Sequence, residues 1–374
     1  MKGIHLSLLI GPAVPRPVPT GVIEALTEVQ VQSSATGRNG FQLSLTLGKG
    51  SKIEQLLLQG YFEPIVTRVI VVLIVNGTPE VLMDGVITQE DVAPANQAGQ
   101  STLNITGLDL SALFNLIDLT GVSFPPGIPT FAIVAMLLSK YATIGVIPKV
   151  IPSAIEFVRN PLEGEPRQVG TDFEYITSLA RKVGYVFYVE PGPAPGLNTA
   201  YWGPEIRVGL PQPALNVGMD ASTNVESLSF AYDGLAKELP VAFVQPKRTR
   251  IPIPVPVPDV SAVKLPLAAV PAIPRRVRQL SDTAKHDFGE AMLLALAGAV
   301  RSADAVTGSG QLDVLRYGRL LKPRRLVGVR GAGLPFDGFW YVPNVSTTIK
   351  RGSVTQSFSL ARDGLISNTP RVFP

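Results

Sequence analysis

Residues 67–75 constrain this chain more than any other stretch. Val69, Ile70, Val71, Val72, Leu73 and Ile74 follow one another without a polar break. A short, β-branched, continuously apolar run reads as a strand buried on both faces. Asn76-Gly77 supplies the pair of positive-φ residues that a two-residue hairpin needs. Glu80 to Thr88 is then the antiparallel return strand. The same logic extends to both sides. Ile23 to Gln32 and Gly40 to Leu47 alternate apolar and polar residues around the turn signal Arg38-Asn39-Gly40, and Gln100 to Gly107 gives another strand. Residues 1–107 are expected to form a first, small antiparallel β-barrel domain.

Helical spacing appears next. Asp109 can cap a short helix through Ile117, and Pro129 to Tyr141 suits an amphipathic helix ended by Gly145, with a strand at Val146 to Ile151. The unit at 171–189 is better marked. Thr171 or Asp172 caps a helix, Glu174 can reach back from its first turn, and Phe173, Ile176, Leu179, Ala180 and Val183 share one face. Gly184 stops it, and Tyr185 to Val189 alternate as a strand. Further strands are expected at Glu205 to Gly209 and Val225 to Tyr232, so 108–245 reads as a helix-containing region with a second barrel.

Residues 246–279 form a proline-rich connector. Ile251 to Pro258 alternates proline with β-branched residues, which blocks helix and interior strand and favours an extended polyproline path. Such a segment is a stiff spacer or a strap against a neighbouring subunit. Ser281 or Asp282 then caps a long helix to about Ala303. Arg325 to Arg330, Gly338 to Thr348 and Val354 to Arg362 are strands, so 280–374 completes the barrels. The fold class is mainly β with a few helices: two tube-like antiparallel barrels with helical elaborations.

Composition narrows the function. The chain has 374 residues, 45% hydrophobic and only 17% charged, with 34 prolines and 35 glycines. Low charge with many turns favours a surface buried against partners over one thick core. There is no cysteine, so no disulfide, thiol nucleophile or thiolate metal site exists. Two histidines, His5 and His286, leave no multi-histidine metal centre, and no cofactor motif is present. The most apolar helical run, Phe131 to Leu138, falls well below the roughly 20 residues a membrane span needs. The N-terminus reads as a first strand through Ile4, Leu6 and Leu8 rather than a signal peptide.

Three patterns that imitate catalytic sites fail on geometry. His286 and Asp287 adjoin on a helix and point about 100° apart, so they are not an oriented pair. Glu163 and Glu165 lie in a Pro/Gly-rich turn, with nothing nearby to build a glycosidase cleft. Gly308-Ser309-Gly310 has no following Gly-Lys-Ser/Thr and reads as a helix terminator. Trp202 and Trp340 are core or rim aromatics, a residue type that also anchors interfaces.

Charge is asymmetric, with −7 over residues 1–246 and +11 over 247–374. Arg316, Arg319, Lys322, Arg324 and Arg325 form the densest basic cluster. It reads as a solvated strand rim or as a charged contact to an acidic partner surface. Without a stacking platform, nucleic acid is not the expected partner.

Two stretches carry a resemblance. The helix with its Gly-Tyr-x-Phe-Tyr-Val strand at 184–189 resembles the hub proteins of contractile tails. That family includes phage late control protein D and the hub part of type VI secretion spike proteins. The ending, with Phe336-Asp-Gly-Phe-Trp-Tyr-Val-Pro-Asn-Val and Gln356-Ser-Phe-Ser-Leu-Ala-Arg-Asp-Gly364, is similar to the last domain of such hubs, above all those of phage-like extracellular contractile injection systems. The resemblance implies a non-enzymatic baseplate hub assembled in the bacterial cytoplasm. It implies a homotrimer whose two barrels per chain match a sixfold tail tube to a threefold spike. Expected partners are the tail-tube protein, other baseplate proteins and a spike expected to be a separate polypeptide. The competing readings are a tail-associated peptidoglycan hydrolase and a peripheral receptor-binding module.

Overall fold

In the computed structural model, the described residues are 3–95, 101–153, 165–244, 253–256, 265–279, 304–369 and 372. The chain opens with β1 (Ile4–Pro12), β2 (Arg16–Pro17), α1 (Thr20–Ala25), β3 (Leu26–Ser34), β4 (Gly40–Leu47) and α2 (Lys52–Leu58). β5 (Thr67–Val75), β6 (Thr78–Ala93) and β7 (Ser101–Asp109) follow. The middle holds α3 (Thr130–Ser139), β8 (Val146–Val150), α4 (Asp172–Lys182), β9 (Val186–Pro191), β10 (Asn198–Gly203), β11 (Gln212–Asn216) and β12 (Ser227–Tyr232). Then come β13 (Glu238–Val244), β14 (Ile253–Pro256), β15 (Ala268–Pro271) and β16 (Arg276–Gln279). The last elements are β17 (Val306–Asp313), α5 (Val314–Tyr317), β18 (Leu326–Arg330), β19 (Gly338–Lys350), β20 (Ser353–Arg362) and β21 (Gly364–Ser367). The mainly β class with a few helices is borne out.

A 13-stranded sheet runs β12-β17-β20-β19-β3-β4-β7-β6-β5-β1-β2, with β18 on β19 and β11 on β18. β5 occupies the expected range, and eight of its nine residues are buried. Asn76 and Gly77 take φ of 51° and 87°, the hairpin geometry their sequence calls for. The joint between the ends of the chain is β3 on β19, antiparallel from Ser34 opposite Asn344 to Glu28 opposite Lys350. One hydrophobic cluster accordingly mixes Leu43, Val71 and Ile105 with Val306, Trp340 and Phe358.

A second core lies outside this sheet. β8 pairs parallel with β10, which pairs antiparallel with β9. α3 and α4 pack with this small sheet, burying Val134, Leu138, Ile176 and Trp202. Burial of each such side chain contributes about 2 kcal/mol. The α4 capping box is complete: Thr171 Oγ1 accepts from Glu174 N–H, and Glu174 Oε2 accepts from Thr171 N–H at 3.0 Å. Gly184 ends the unit at φ 71°.

Several expected elements differ. Ile23 to Ala25 belong to α1, so β3 starts at Leu26. The segment capped by Asp109 is a 3-10 turn, Leu110–Asn115, and α3 is apolar on most sides instead of amphipathic. Glu205 to Gly209 is irregular, because Arg207 turns inward to a carboxylate pair described below. Gly308 and Gly310 lie inside β17, not at a helix end. There they make room: a Cβ on Gly310 would fall 2.5 Å from Ser227 O and 2.7 Å from the Phe358 ring.

Within the proline-rich connector, residues 253–256 are extended, as their alternating prolines require. β14 pairs antiparallel with β13, whose other side pairs with β16, so Ile253–Pro256 is an edge strand. Pro254 and Pro256 have no N–H to give. The strand completes its ladder through Ile253 and Val255, leaving the proline nitrogens on the outer edge. The helix expected at 281–303, with His286 and Asp287, lies outside the described residues, as does Glu163. Among the described residues no helix is long and apolar enough to cross a membrane.

Candidate functional site

The basic cluster begins at α5. Asp313 caps this turn through its carboxylate, which accepts from Arg316 N–H at 2.9 Å, and Gly318 closes it at φ 83°. The following segment is pinned from beneath. Leu321 N–H donates to Gln356 Oε1 at 2.8 Å, and Lys322 N–H to Gln212 Oε1 at 2.7 Å. Gln356 is fully buried and donates onward to Leu321 O and Thr347 Oγ1. The chain between α5 and β18 is thus held in place while its long side chains project from it.

Those side chains divide into two sets. Lys322 forms an ion pair with Glu80, and Arg324 donates to Glu190 Oε2 at 3.3 Å and to Ser34 O. Arg324 also lies 4.1 Å over the Tyr188 ring, and its side chain is only 10% exposed. Its φ of 62° is a strained conformation for a side-chain-bearing residue, held by Arg324 N–H donating to Val342 O. Tyr188 stacks on Tyr201 at 4.9 Å, and Lys149 caps Tyr201 from 5.8 Å. Burial pushes the Tyr201 hydroxyl up to about 12, so the stack stays neutral at ordinary pH. Arg324 therefore fastens β9 to the main sheet. Arg316, Arg319 and Arg325 are exposed and have no carboxylate partner among the described residues. Only these three fit the expectation of cations free for another molecule.

An apolar groove of about 390 Å³ adjoins α5. Ile4 and Leu6 of β1, Ile23 and Leu26 form its walls, Leu315 lies at its side, and Lys350 and Arg351 from the β19–β20 turn stand on its rim.

Buried ions that the sequence reading missed hold the fold together. Arg68 and Asp84 pair in the main sheet at 2.6 Å. Arg207 bonds Asp304 at 2.7 Å and Glu205 at 3.3 Å while stacking 4.5 Å from Tyr341. Burial opposes its charge, but the Asp304 contact outweighs it and its pKa rises. Arg362 is fully buried, donates to the carbonyls of Gly364, Asp337 and Pro335, and lies 4.3 Å over Trp340. Burial lowers its pKa to about 10. The available signal was a lone charge inside an apolar or alternating strand, as at Arg68 and Arg362. Trp202 and Trp340 are both core residues with no exposure. Glu165 is exposed, and no group of three metal-binding side chains occurs among the described residues.

No protein-family model and no curated protein matches this chain. Solved structures do. The tail protein from Neisseria meningitidis MC58 shares the fold over 97% of this chain and 98% of its own, at TM-score 0.62 and 14% identity. The 43 kDa tail protein of prophage MuSo2 from Shewanella oneidensis matches over 96% and 100%, at TM-score 0.59 and 15% identity. The E. coli c3393 protein is a type VI secretion component similar in structure to the T4 bacteriophage tail proteins gp27 and gp5. It matches over 93% of this chain and 77% of its own, at TM-score 0.55 and 11% identity. At these identities the likeness is one of architecture: the chain has the fold of phage tail proteins and of a type VI secretion component.

Proposed function

We propose that this protein is the structural hub of a contractile tail or injection-system baseplate, a trimeric ring joining a sixfold inner tube to a threefold spike. The observation that carries this reading is the end-to-end likeness to tail proteins, which covers nearly all of both chains. The sheet supports it. On one side of the β3–β19 joint stand β3, β4, β7, β6, β5 and β1; on the other stand β19, β20, β17, β12, β18 and β11. Two such halves are the two tube-like barrels of the proposal, and three chains carry six of them, which is how a threefold ring meets a sixfold tube. The chain acts by assembly and not by catalysis. The exposed Arg316, Arg319 and Arg325 contact an acidic surface of the adjoining ring or subunit.

Light scattering of the protein purified with its spike partner tests the reading. The expected complex holds three copies of this chain. A stable complex holding a single copy at micromolar concentration would overturn the hub assignment.

A further inference from the structure

Among the described residues, β1 and β6 each carry an edge without a partner strand, and the two edges lie at opposite ends of β5. β1 pairs with β5 along its length, from Ile4 opposite Val75 to Pro12 opposite Thr67. Its other side is met by β2 at Leu9 and Ile10, and by Val18 N–H, which donates to Leu8 O at 3.1 Å. Backbone groups alternate sides along a strand, so Leu8 O marks the side facing away from β5. Ile4 and Leu6 share that parity. Their N–H and C=O groups face away from β5, without a backbone partner among the described residues. Their side chains open onto the apolar groove, whose Ile23 and Leu315 are 42% and 50% exposed. Arg351 stands on its rim beside Lys350, which is paired with Glu28 of the same lining at 3.3 Å, and Arg316 follows Leu315 on α5.

β6 outruns β5. Its pairing with β5 ends at Val86, whereas pairing with β7 continues to Ala93 opposite Thr102. Gln89 to Ala93 is consequently an edge, with Asp91 exposed and Val92 46% exposed. The turn before β5 sits alongside, since Ile65 N–H donates to Ile87 O at 2.7 Å. Ile65 holds φ of 68°, a rare conformation for a β-branched residue, and presents itself and Val66 outward. Glu63 lies near enough to add to burial in raising the Glu90 carboxyl. One edge is apolar with Arg316 and Arg351 beside it, and the other is apolar and acidic.

We infer that these edges are the two halves of one contact between copies of this chain: Gln89–Ala93 of one copy lies along Ile4–Leu6 of the next, with Val92 in the groove. Glu90 and Asp91, on opposite faces of the strand, then bring negative charge to the edge that carries Arg316 and Arg351. Within one subunit the edges cannot meet, because the nine residues of β5 separate them by about 30 Å. The contact is heterologous, running from one surface to a different surface of the next copy. Pairing satisfies strand edges that would otherwise invite indiscriminate addition, and opposite charge fixes register. The contact deepens the ring reading without requiring three copies.

The chain has no cysteine, so Val92→Cys with Leu315→Cys introduces the only thiols. A short bismaleimide is added at about 1 mM protein, where even a contact of millimolar Kd is substantially formed. The double variant should give a ladder of covalent dimers and larger species on a denaturing gel. Each single variant should stay monomeric, and a mixture of the two single variants should stop at dimers. Circular dichroism checks the fold, and Ala93→Cys with Ser353→Cys serves if the first pair is misfolded. A folded double variant without a ladder overturns the contact. So does a dimer from Val92→Cys alone, which would make the contact symmetric. Glu90→Lys with Asp91→Lys should cut the ladder about fivefold, and adding Arg316→Glu and Arg351→Glu should restore it. Light scattering of the uncross-linked protein counts copies separately: a ladder with a subunit number other than three removes the hub reading and keeps the contact.

Discussion

Asp84→Ala strikes a fully buried ion that accepts four hydrogen bonds. Asp84 Oδ1 accepts from Arg68 Nε at 2.6 Å, and Oδ2 accepts from Arg68 Nη2 at 2.8 Å, Asn198 Nδ2 at 2.8 Å and Gly196 N–H at 3.2 Å. Arg68 also donates to Ile144 O at 3.0 Å and Gly196 O at 3.2 Å. The network ties β5 and β6 to the second core, and the Asp84 side chain has no exposure. Removing the carboxylate leaves a guanidinium buried beside two further unpaired donors. Breaking a buried pair this way costs about 3–5 kcal/mol. That is a large share of the roughly 5–15 kcal/mol typical of a folded domain. Urea unfolding should show a lower midpoint at similar slope. Arg68→Met combined with Asp84→Leu removes both charges and should recover most of that loss, because replacing a buried ion pair by apolar residues is often neutral. A loss below about 1 kcal/mol for Asp84→Ala, or a double variant no better than the single, would refute the argument that the stranded charge dominates.

Arg324→Ala should destabilise the fold by about 2 kcal/mol or more in urea, because it removes charged hydrogen bonds to Glu190 and Ser34. Arg316→Glu, Arg319→Glu and Arg325→Glu together should leave the unfolding midpoint nearly unchanged and reduce incorporation into particles; normal incorporation would free these cations of an interface role. Burial raises the Asp109 carboxyl despite bonds from Asn39 and Ser111. Its contribution to stability is therefore full below the unfolded value of about 3.9 and is lost as pH rises through the folded value. The stability of the native chain relative to Asp109→Asn should accordingly fall as pH rises across that window, and a pH-independent difference in urea unfolding would contradict this. Pro254→Thr with Pro256→Thr restores two N–H donors to the outer edge of β14 and should raise aggregation measured by static light scattering.

Local chemistry alone fixed much of this protein. β4 and β5 fall in their expected ranges, as does the Asn76-Gly77 turn, because two-residue periodicity and positive-φ preference act within a few residues. The α4 capping box is equally local. Tertiary structure decided the rest. Arg324 and Lys322 read as free cations in a basic run, yet Glu190 and Glu80, distant in sequence, claim them. Arg207 turned an alternating stretch into an irregular one because Asp304, 97 residues away, was the partner that made its burial tolerable. Alternating prolines specified an extended backbone but not that β13 would pair with its inner side. The joint of β3 with β19 joins residues more than 300 positions apart, and no periodicity in either strand names the other. Strand pairing depends on which edges remain open after the rest of the chain has packed, and that is a property of the whole fold.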